Sequence, residues 1–340
     1  MSMKKTFRVG IAGYGVVGQR RRKFIDAHPS LETVVVSDTK FTNNSTQSGV
    51  KKFHNYNKLF EENIDILFVS LPNYLAPEVT IAGLRNNCHV FCEKPPGRNV
   101  DDVTKVRIVE ESHPGLKLKY GFNHRYHENV RQALSIVKSK ALGDVINLRG
   151  VYGKSKIISF ESDWRTKRAY AGGGILLDQG IHMLDLMRMF CGEFSEVHSF
   201  ISNDHWQHDV EDNAYALMRT NSGIIASMHS SATQWRHKFN LEIALQNGLL
   251  VLGGILSGSK TYGDETITVY GKEKGENLSE TTTQFKEDNS WRDEIHEFVE
   301  NILADEPVST GNSTDALNTM KLVYEIYRAD PQWISRYDCS

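Results

Sequence analysis

The chain has 340 residues, 39% hydrophobic and 24% charged, a globular composition too long for one typical core, so about two domains are expected. Its 40 basic and 42 acidic residues leave a formal charge of -2, which excludes the positive field of a nucleic-acid or anionic-membrane binder. No run of about 18 apolar residues is present for a helical membrane span, and Met1-Ser2-Met3-Lys4-Lys5 lacks the apolar core of a signal peptide.

In chain order, Phe7–Ala12 reads as a strand, followed by a helix from Val16 to Ala27. The basic run Arg20-Arg21-Arg22-Lys23 falls on that helix and reads as a solvated face. Strands follow at 33–37, 65–70 and 89–92, with a helix near 76–86. A helix from about Asp101 then leads to a strand at 117–121. Apolar runs alternating with helices indicate a parallel sheet covered on both faces. From about residue 123 the pattern changes. Helices near 128–139 and around 178–185 give way to strands at 194–202, 212–220, 224–232, 239–247 and 266–271. Turn signals stand at Asn221-Ser222-Gly223 and Asn247-Gly248. Helices near 291–303 and 314–328 close the chain. The expected fold is therefore α/β: a Rossmann dinucleotide-binding domain over 1–122, and an α+β domain over 123–340 with an open, mostly antiparallel sheet. The C-terminal helices are candidates to pack back on the first domain. Cys88, Cys92, Cys191 and Cys339 have no metal or redox spacing. Cys88 and Cys92 would lie about 13 Å apart on one strand, too far for a disulfide, which fits a cytoplasmic protein.

Gly13-Tyr14-Gly15-Val16-Val17-Gly18 follows the first strand and opens the first helix, the setting in which G-x-G-x-x-G binds a dinucleotide pyrophosphate on free helix N–H groups. Asp38 ends the second strand and is placed to accept from the adenosine ribose hydroxyls, favouring NAD over NADP; Lys40 nearby could accommodate a 2′-phosphate. Leu71-Pro72-Asn73 and Glu93-Lys94-Pro95-Pro96 follow later strands, at the carboxyl ends where such sheets bind ligands. Downstream, Gly172-Gly173-Gly174 leads into a helical pattern on which Asp178 and His182 stand four apart on one face. A carboxylate beside an imidazole poises it for proton transfer. Gly180 inside that helix signals close approach by a ligand or another backbone.

These motifs, with Asp163-Trp164-Arg165, resemble the Gfo/Idh/MocA oxidoreductases, the group of glucose–fructose oxidoreductase and myo-inositol dehydrogenase, in register from about residue 6 to 190. The resemblance implies Lys94, Asp178 and His182 as the catalytic set. It also implies Asn73 and Glu93 near the nicotinamide-side ribose, and Trp164 and Arg165 over cofactor and substrate. The segment Gly121-Phe122-Asn123-His124-Arg125-Tyr126 resembles the loop that lines the substrate pocket, so Asn123, His124 and Arg125 join Lys94, Arg165, Asp178 and His182 as substrate contacts. Asn123 and His124 depart from the inositol dehydrogenase form. The implied activity is oxidation of a secondary hydroxyl of a sugar, with His182 as base, Asp178 orienting it and Lys94 stabilising alkoxide. A cationic lining that includes Lys167 and Arg168 favours a sugar phosphate, sugar acid or nucleotide sugar. The implied partners are a small sugar-like substrate and further copies of the chain, as a homodimer or homotetramer through the C-terminal sheet, with no nucleic acid or membrane. A metal centre is not expected. Asp178, His182 and Asp185, or His205, His208 and Asp209, or His124 and His127 give only partial ligand sets. An NAD-assisted glycoside hydrolase and a non-catalytic NAD sensor are the alternatives; both usually alter the lysine–histidine set present here.

Overall fold

A computed structural model describes residues 6–155, 164–257, 262–272 and 278–337. Met1-Ser2-Met3-Lys4-Lys5, Asp163 and Cys339 lie outside these residues. The chain forms two compact units, residues 1–122 with 291–318, and residues 123–290 with 319–340. Residues 291–318 thus belong to the first unit.

The first unit is built on a seven-stranded sheet. Its strands are β1 (Phe7–Ala12), β2 (Leu31–Ser37), β3 (Ser45–Gln47), β4 (Val50–Phe53), β5 (Ile66–Val69), β6 (His89–Glu93) and β7 (Leu118–Gly121). The order is β3-β4-β2-β1-β5-β6-β7, parallel throughout except for the β3–β4 pair. Helices Val16–Asp26, Ala76–Arg85 and Val100–Glu111 make the crossovers. Val9, Ile11, Phe68 and Phe91 are buried on the strands, and Ile295, Phe298 and Val299 of the returning chain complete that core. Phe298 meets the rings of Phe68 and Phe91 edge-on. Fully buried strands read as continuous apolar runs, which is why β1, β5 and β6 are legible in the sequence. The short edge pair β3–β4 has Lys51, Lys52 and polar Ser45, Thr46 and Gln47, and carries no such signal.

The second unit has an eight-stranded sheet. Its members are β8 (Val145–Gly153), β9 (Phe194–Ser202), β10 (Asn213–Thr220), β11 (Ile225–Ser231), β12 (Lys238–Leu245), β13 (Gly248–Gly253), β14 (Glu265–Lys272) and β15 (Leu278–Phe285). The order is β15-β14-β13-β12-β8-β11-β10-β9, and every pair is antiparallel except β8–β11. Burial alternates along β10 and β12, the mark of a sheet with one covered face. Strands β8, β13 and β15 were not expected, and β8 is central. Its outward positions Asn147 and Arg149 interrupt the apolar pattern.

Candidate active site

In the first unit, β1 runs into Gly13, whose φ of +87° lies in the left-handed region. A Cβ there would sit 2.2 Å from the Ser70 carbonyl oxygen, and one on Gly18 would sit 2.0 Å from the Gly13 carbonyl oxygen. Both glycines are therefore demanded by the chain's own packing. Gly15 is different. It caps the helix Val16–Asp26 with no side-chain cap, it is exposed, and nothing lies within 4 Å of the position its Cβ would take. That leaves helix N–H groups facing open space, which fits a pyrophosphate. Val16 is 70% exposed beside it.

Asp38 follows β2 half-buried, and its carboxylate accepts from the Tyr14 N–H and the Lys40 N–H, each at 2.9 Å. These bonds tie the strand end to the glycine turn, and the remaining lone pairs are those a ribose hydroxyl would use. Asn73 is buried after β5. Strand β6 delivers Glu93 and half-buried Lys94, with a cis Lys94–Pro95 bond. Glu93 accepts from Arg21 Nε at 2.5 Å, and Arg21 Nη2 reaches Glu294 at 2.8 Å. Far from belonging to a solvated face, Arg21 is fully buried, 4.4 Å from the Phe91 ring and 4.2 Å from that of Trp291. Burial pushes the Glu294 carboxyl up to about 7, against the pull of Arg21.

In the second unit, the run Gly172-Gly173-Gly174 is packed against Glu211 and Tyr327. A Cβ on Gly174 would lie 2.1 Å from the Glu211 carbonyl oxygen, and one on Gly173 would lie 2.1 Å from the Tyr327 hydroxyl. The buried Glu211 carboxylate accepts from the Gly174 N–H at 2.8 Å and the Leu176 N–H at 3.0 Å, capping the turn that follows. That turn corrects the sequence expectation of one regular helix. Leu176–Gly180 is π-helical, and the α-helix begins only at Ile181 and runs to Cys191. Single π turns inside helices recur at functional sites. Gly180 packs against β11, where a Cβ would meet Ser230 Oγ at 2.8 Å and Met228 Cε at 2.9 Å; the close neighbour its sequence position signalled is this strand.

His182 is buried, and its ring stacks on that of His124 with centroids 3.6 Å apart. His124 reaches the Tyr152 hydroxyl at 3.1 Å and Asn123 Oδ1 at 3.2 Å, and Asn123 donates to Ser290 Oγ at 3.1 Å. Arg125 forks onto buried Asp185 at 2.7 and 2.6 Å. Asp178 accepts from Gln179 Nε2 at 2.9 Å and faces Lys154 Nζ at 3.5 Å. Burial lowers the proton affinity of both Lys154 and Arg165, while the charge of Asp178 raises it in each case. Arg165 lies 4.2 Å over the Trp164 ring. The expected cluster of Arg165, Lys167 and Arg168 is not one group. Lys167 is exposed, and Arg168 lies over the rings of Tyr337 and Trp333 at 4.4 and 5.0 Å, where aromatic contact holds it. Lys154 escaped sequence reasoning because β8, which delivers it, did. The signal available was a lysine directly after the apolar pair Val151-Tyr152 and a glycine.

Two family models match the chain. One, described as an oxidoreductase family with an NAD-binding Rossmann fold, covers residues 7–119; the other, a GFO/IDH/MocA C-terminal domain, covers 130–251. A levoglucosan dehydrogenase from Pseudarthrobacter phenanthrenivorans is 25% identical over 54% of this chain and 45% of its own length, so the chain spans less than half of that relative. A myo-inositol 2-dehydrogenase from Thermotoga maritima is 25% identical over 88% of this chain and 89% of its own. Among solved structures, a levoglucosan dehydrogenase in complex with NADH superposes with a TM-score of 0.84 at 18% identity, covering 97% of this chain and 98% of that one, which shows a shared fold.

Proposed function

This chain belongs to the Gfo/Idh/MocA family of NAD-binding oxidoreductases, and from that premise we propose that it is an NAD-dependent dehydrogenase oxidising a secondary hydroxyl of a sugar or sugar derivative. The observation that carries the reading is the turn that presents Asp178 just before a buried imidazole, His182, in a chain whose first unit holds an open glycine cradle.

Hydride acceptance is the chemistry a bound nicotinamide supplies. Gly15 and the helix N–H groups behind it hold the pyrophosphate, and Asp38 holds the adenosine ribose. Leu71, Pro72, Asn73 and Glu93 line the cofactor's path at the strand ends. His182 takes the hydroxyl proton as the carbinol carbon is oxidised. Asp178 orients that imidazole and stabilises its cationic form. Lys94 donates to the hydroxyl oxygen and stabilises the developing alkoxide. Trp164 and Arg165 close over cofactor and substrate, and Arg165 favours a substrate bearing a phosphate or carboxylate. Asn123, His124 and Arg125, held by their bonds to Ser290, Tyr152 and Asp185, would contact the substrate.

The proposal extends to assembly and compartment. Phe200, Tyr215, Leu217 and Ile225 are exposed on the outer strands β9, β10 and β11, which supports pairing of copies through that sheet. Cys88, Cys92 and Cys191 are free thiols, as suits the cytoplasm. No helix among the described residues is long and apolar enough to cross a membrane.

The test is a screen of sugars, sugar phosphates, sugar acids and nucleotide sugars for NAD reduction, repeated with Lys94→Ala and His182→Ala on the best substrate. Each variant should keep cofactor affinity and lose about a hundredfold or more in turnover. A His182→Ala enzyme at wild-type rate would remove the assigned base. A stoichiometric burst of NADH without net turnover would point to the transient oxidation of a hydrolase.

A further inference from the structure

Lys154 is the first residue after β8, and its backbone is fixed on both sides. Its N–H donates to the Ser231 carbonyl at 2.7 Å, and its carbonyl accepts from the Gln234 N–H at 2.9 Å. The side chain is buried, at 7% exposure, and ends 3.5 Å from Asp178 Oδ2. A buried ammonium is costly unless a carboxylate answers it, and a solvated lysine would not be held this way. Among the described residues, other charged or titratable groups around the pair are Arg165 from the 3-10 turn Trp164–Thr166, His237 from the segment before β12, Tyr152 from β8 and Tyr262 from the segment before β14, and His182 itself is stacked on His124. Among these described groups Asp178 is the carboxylate that answers the ammonium.

We infer that Lys154 is a positioning residue of the active site, one whose ammonium fixes the carboxylate of Asp178 in the orientation and ionised state that His182 requires. The inference rests on the proposed role of Asp178 and His182. Two physical consequences follow. The lysine leaves Asp178 less free to rotate away from its place on the π turn. It also favours the carboxylate over the acid.

The experiment compares Lys154→Met, Lys154→Arg, Asp178→Asn and the double variant Lys154→Met/Asp178→Asn, using the substrate found in the screen, with melting curves to confirm folding. Lys154→Met should lower kcat by about tenfold or more while changing KM by less than about threefold. The acid limb of its kcat/KM profile should move to higher pH by about one unit, because loss of the cation makes Asp178 easier to protonate. Lys154→Arg should recover most of the rate. The double variant should be no slower than Asp178→Asn alone, since the lysine acts through that carboxylate. A readout independent of turnover is the carboxyl-carbon NMR titration of Asp178 in the cofactor-free protein, which should shift upward in Lys154→Met. Independent, multiplying losses in the double variant, an unmoved acid limb, or a loss confined to KM would overturn the inference. If Asp178→Asn and His182→Ala both turn over at wild-type rate, it is the proposed function that fails; a wild-type Lys154→Met beside a crippled Asp178→Asn would sink this inference alone. Should Lys154→Met fail to fold, the upward shift must appear in Lys154→Gln, and its absence there decides against the inference equally.

Discussion

Arg21 is claimed by two carboxylates, Glu93 on β6 and Glu294 on the returning helix, and all three meet inside the first unit. Burial of Glu294 outweighs the attraction of Arg21, which it shares with Glu93, and raises its carboxyl to about 7. The native protein then keeps a proton that the unfolded chain releases above its ordinary value of 4.5. Relative to a Glu294→Gln control, stability should therefore fall as pH rises from about 4.5 towards about 7, and level off above it. Urea midpoints of both proteins at several pH values between these limits check this; a constant gap would mean that Glu294 is ionised throughout. Asp38 supplies a second residue-scale expectation. With both oxygens anchored by the N–H groups of Tyr14 and Lys40, the carboxylate cannot swing aside for a 2′-phosphate. NAD(H) should bind at least about tenfold tighter than NADP(H), about 1.4 kcal/mol, and Asp38→Ser should erase most of that difference. Equal affinities in the parent protein, measured by titration, would show that Lys40 outweighs Asp38.

Among the elements, the two glycine-rich turns look alike in sequence and differ in cause. Gly174 is pressed against the Glu211 backbone at a distance no Cβ tolerates, whereas Gly15 has open space where its Cβ would stand. Gly174→Ala should destabilise the protein by about 1–3 kcal/mol or more through forced displacement of backbone, read from chemical denaturation. Gly15→Ala should leave the cofactor-free protein within about 0.5 kcal/mol of wild type while weakening NAD binding roughly tenfold. Unchanged NAD affinity in Gly15→Ala would show that the pyrophosphate does not approach that turn. The glycine spacing was legible because a glycine shows in the sequence itself, even where the backbone it must clear, at Ser70 or Glu211, is far along the chain. That the second turn is π-helical was not, since it depends on Glu211 reaching the Gly174 and Leu176 N–H groups from 35 or more residues away.

On the scale of the whole molecule, the outer strands of the second sheet expose apolar side chains in matching register. Tyr215 stands opposite Phe200 on one side and stacks on His229 at 3.8 Å on the other. Leu217 follows two residues along the same face. Such a contiguous exposed apolar surface is stabilised when another copy covers it. Under the proposed pairing of copies through this sheet, Tyr215→Lys/Leu217→Lys should lower the molar mass seen by light scattering to that of one chain, with melting little changed at low concentration. Retention of the larger species would move the interface elsewhere.

Local physics made much of this protein readable from its sequence. The buried parallel strands, the crossover helices, the dinucleotide turn and strands β9 to β12 and β14 of the second sheet all follow from apolar periodicity and glycine placement in the sequence. The polar edge pair β3–β4 and the broken pattern of β8 lacked that signature. Their pairing depends on strands far along the chain: β8 lies between β12 and β11, whose residues are some 75 to 100 positions away. The same limit applied to charge. Arg165 and Arg168 are three residues apart, yet one is coupled to Asp178 and the other is caged by C-terminal aromatic rings. Arg21 looked solvated on a basic helix until Glu93 and Glu294 were brought to it. Which cations meet which carboxylates was decided only by tertiary packing, because charges pair through space and spacing along the chain says little about that distance.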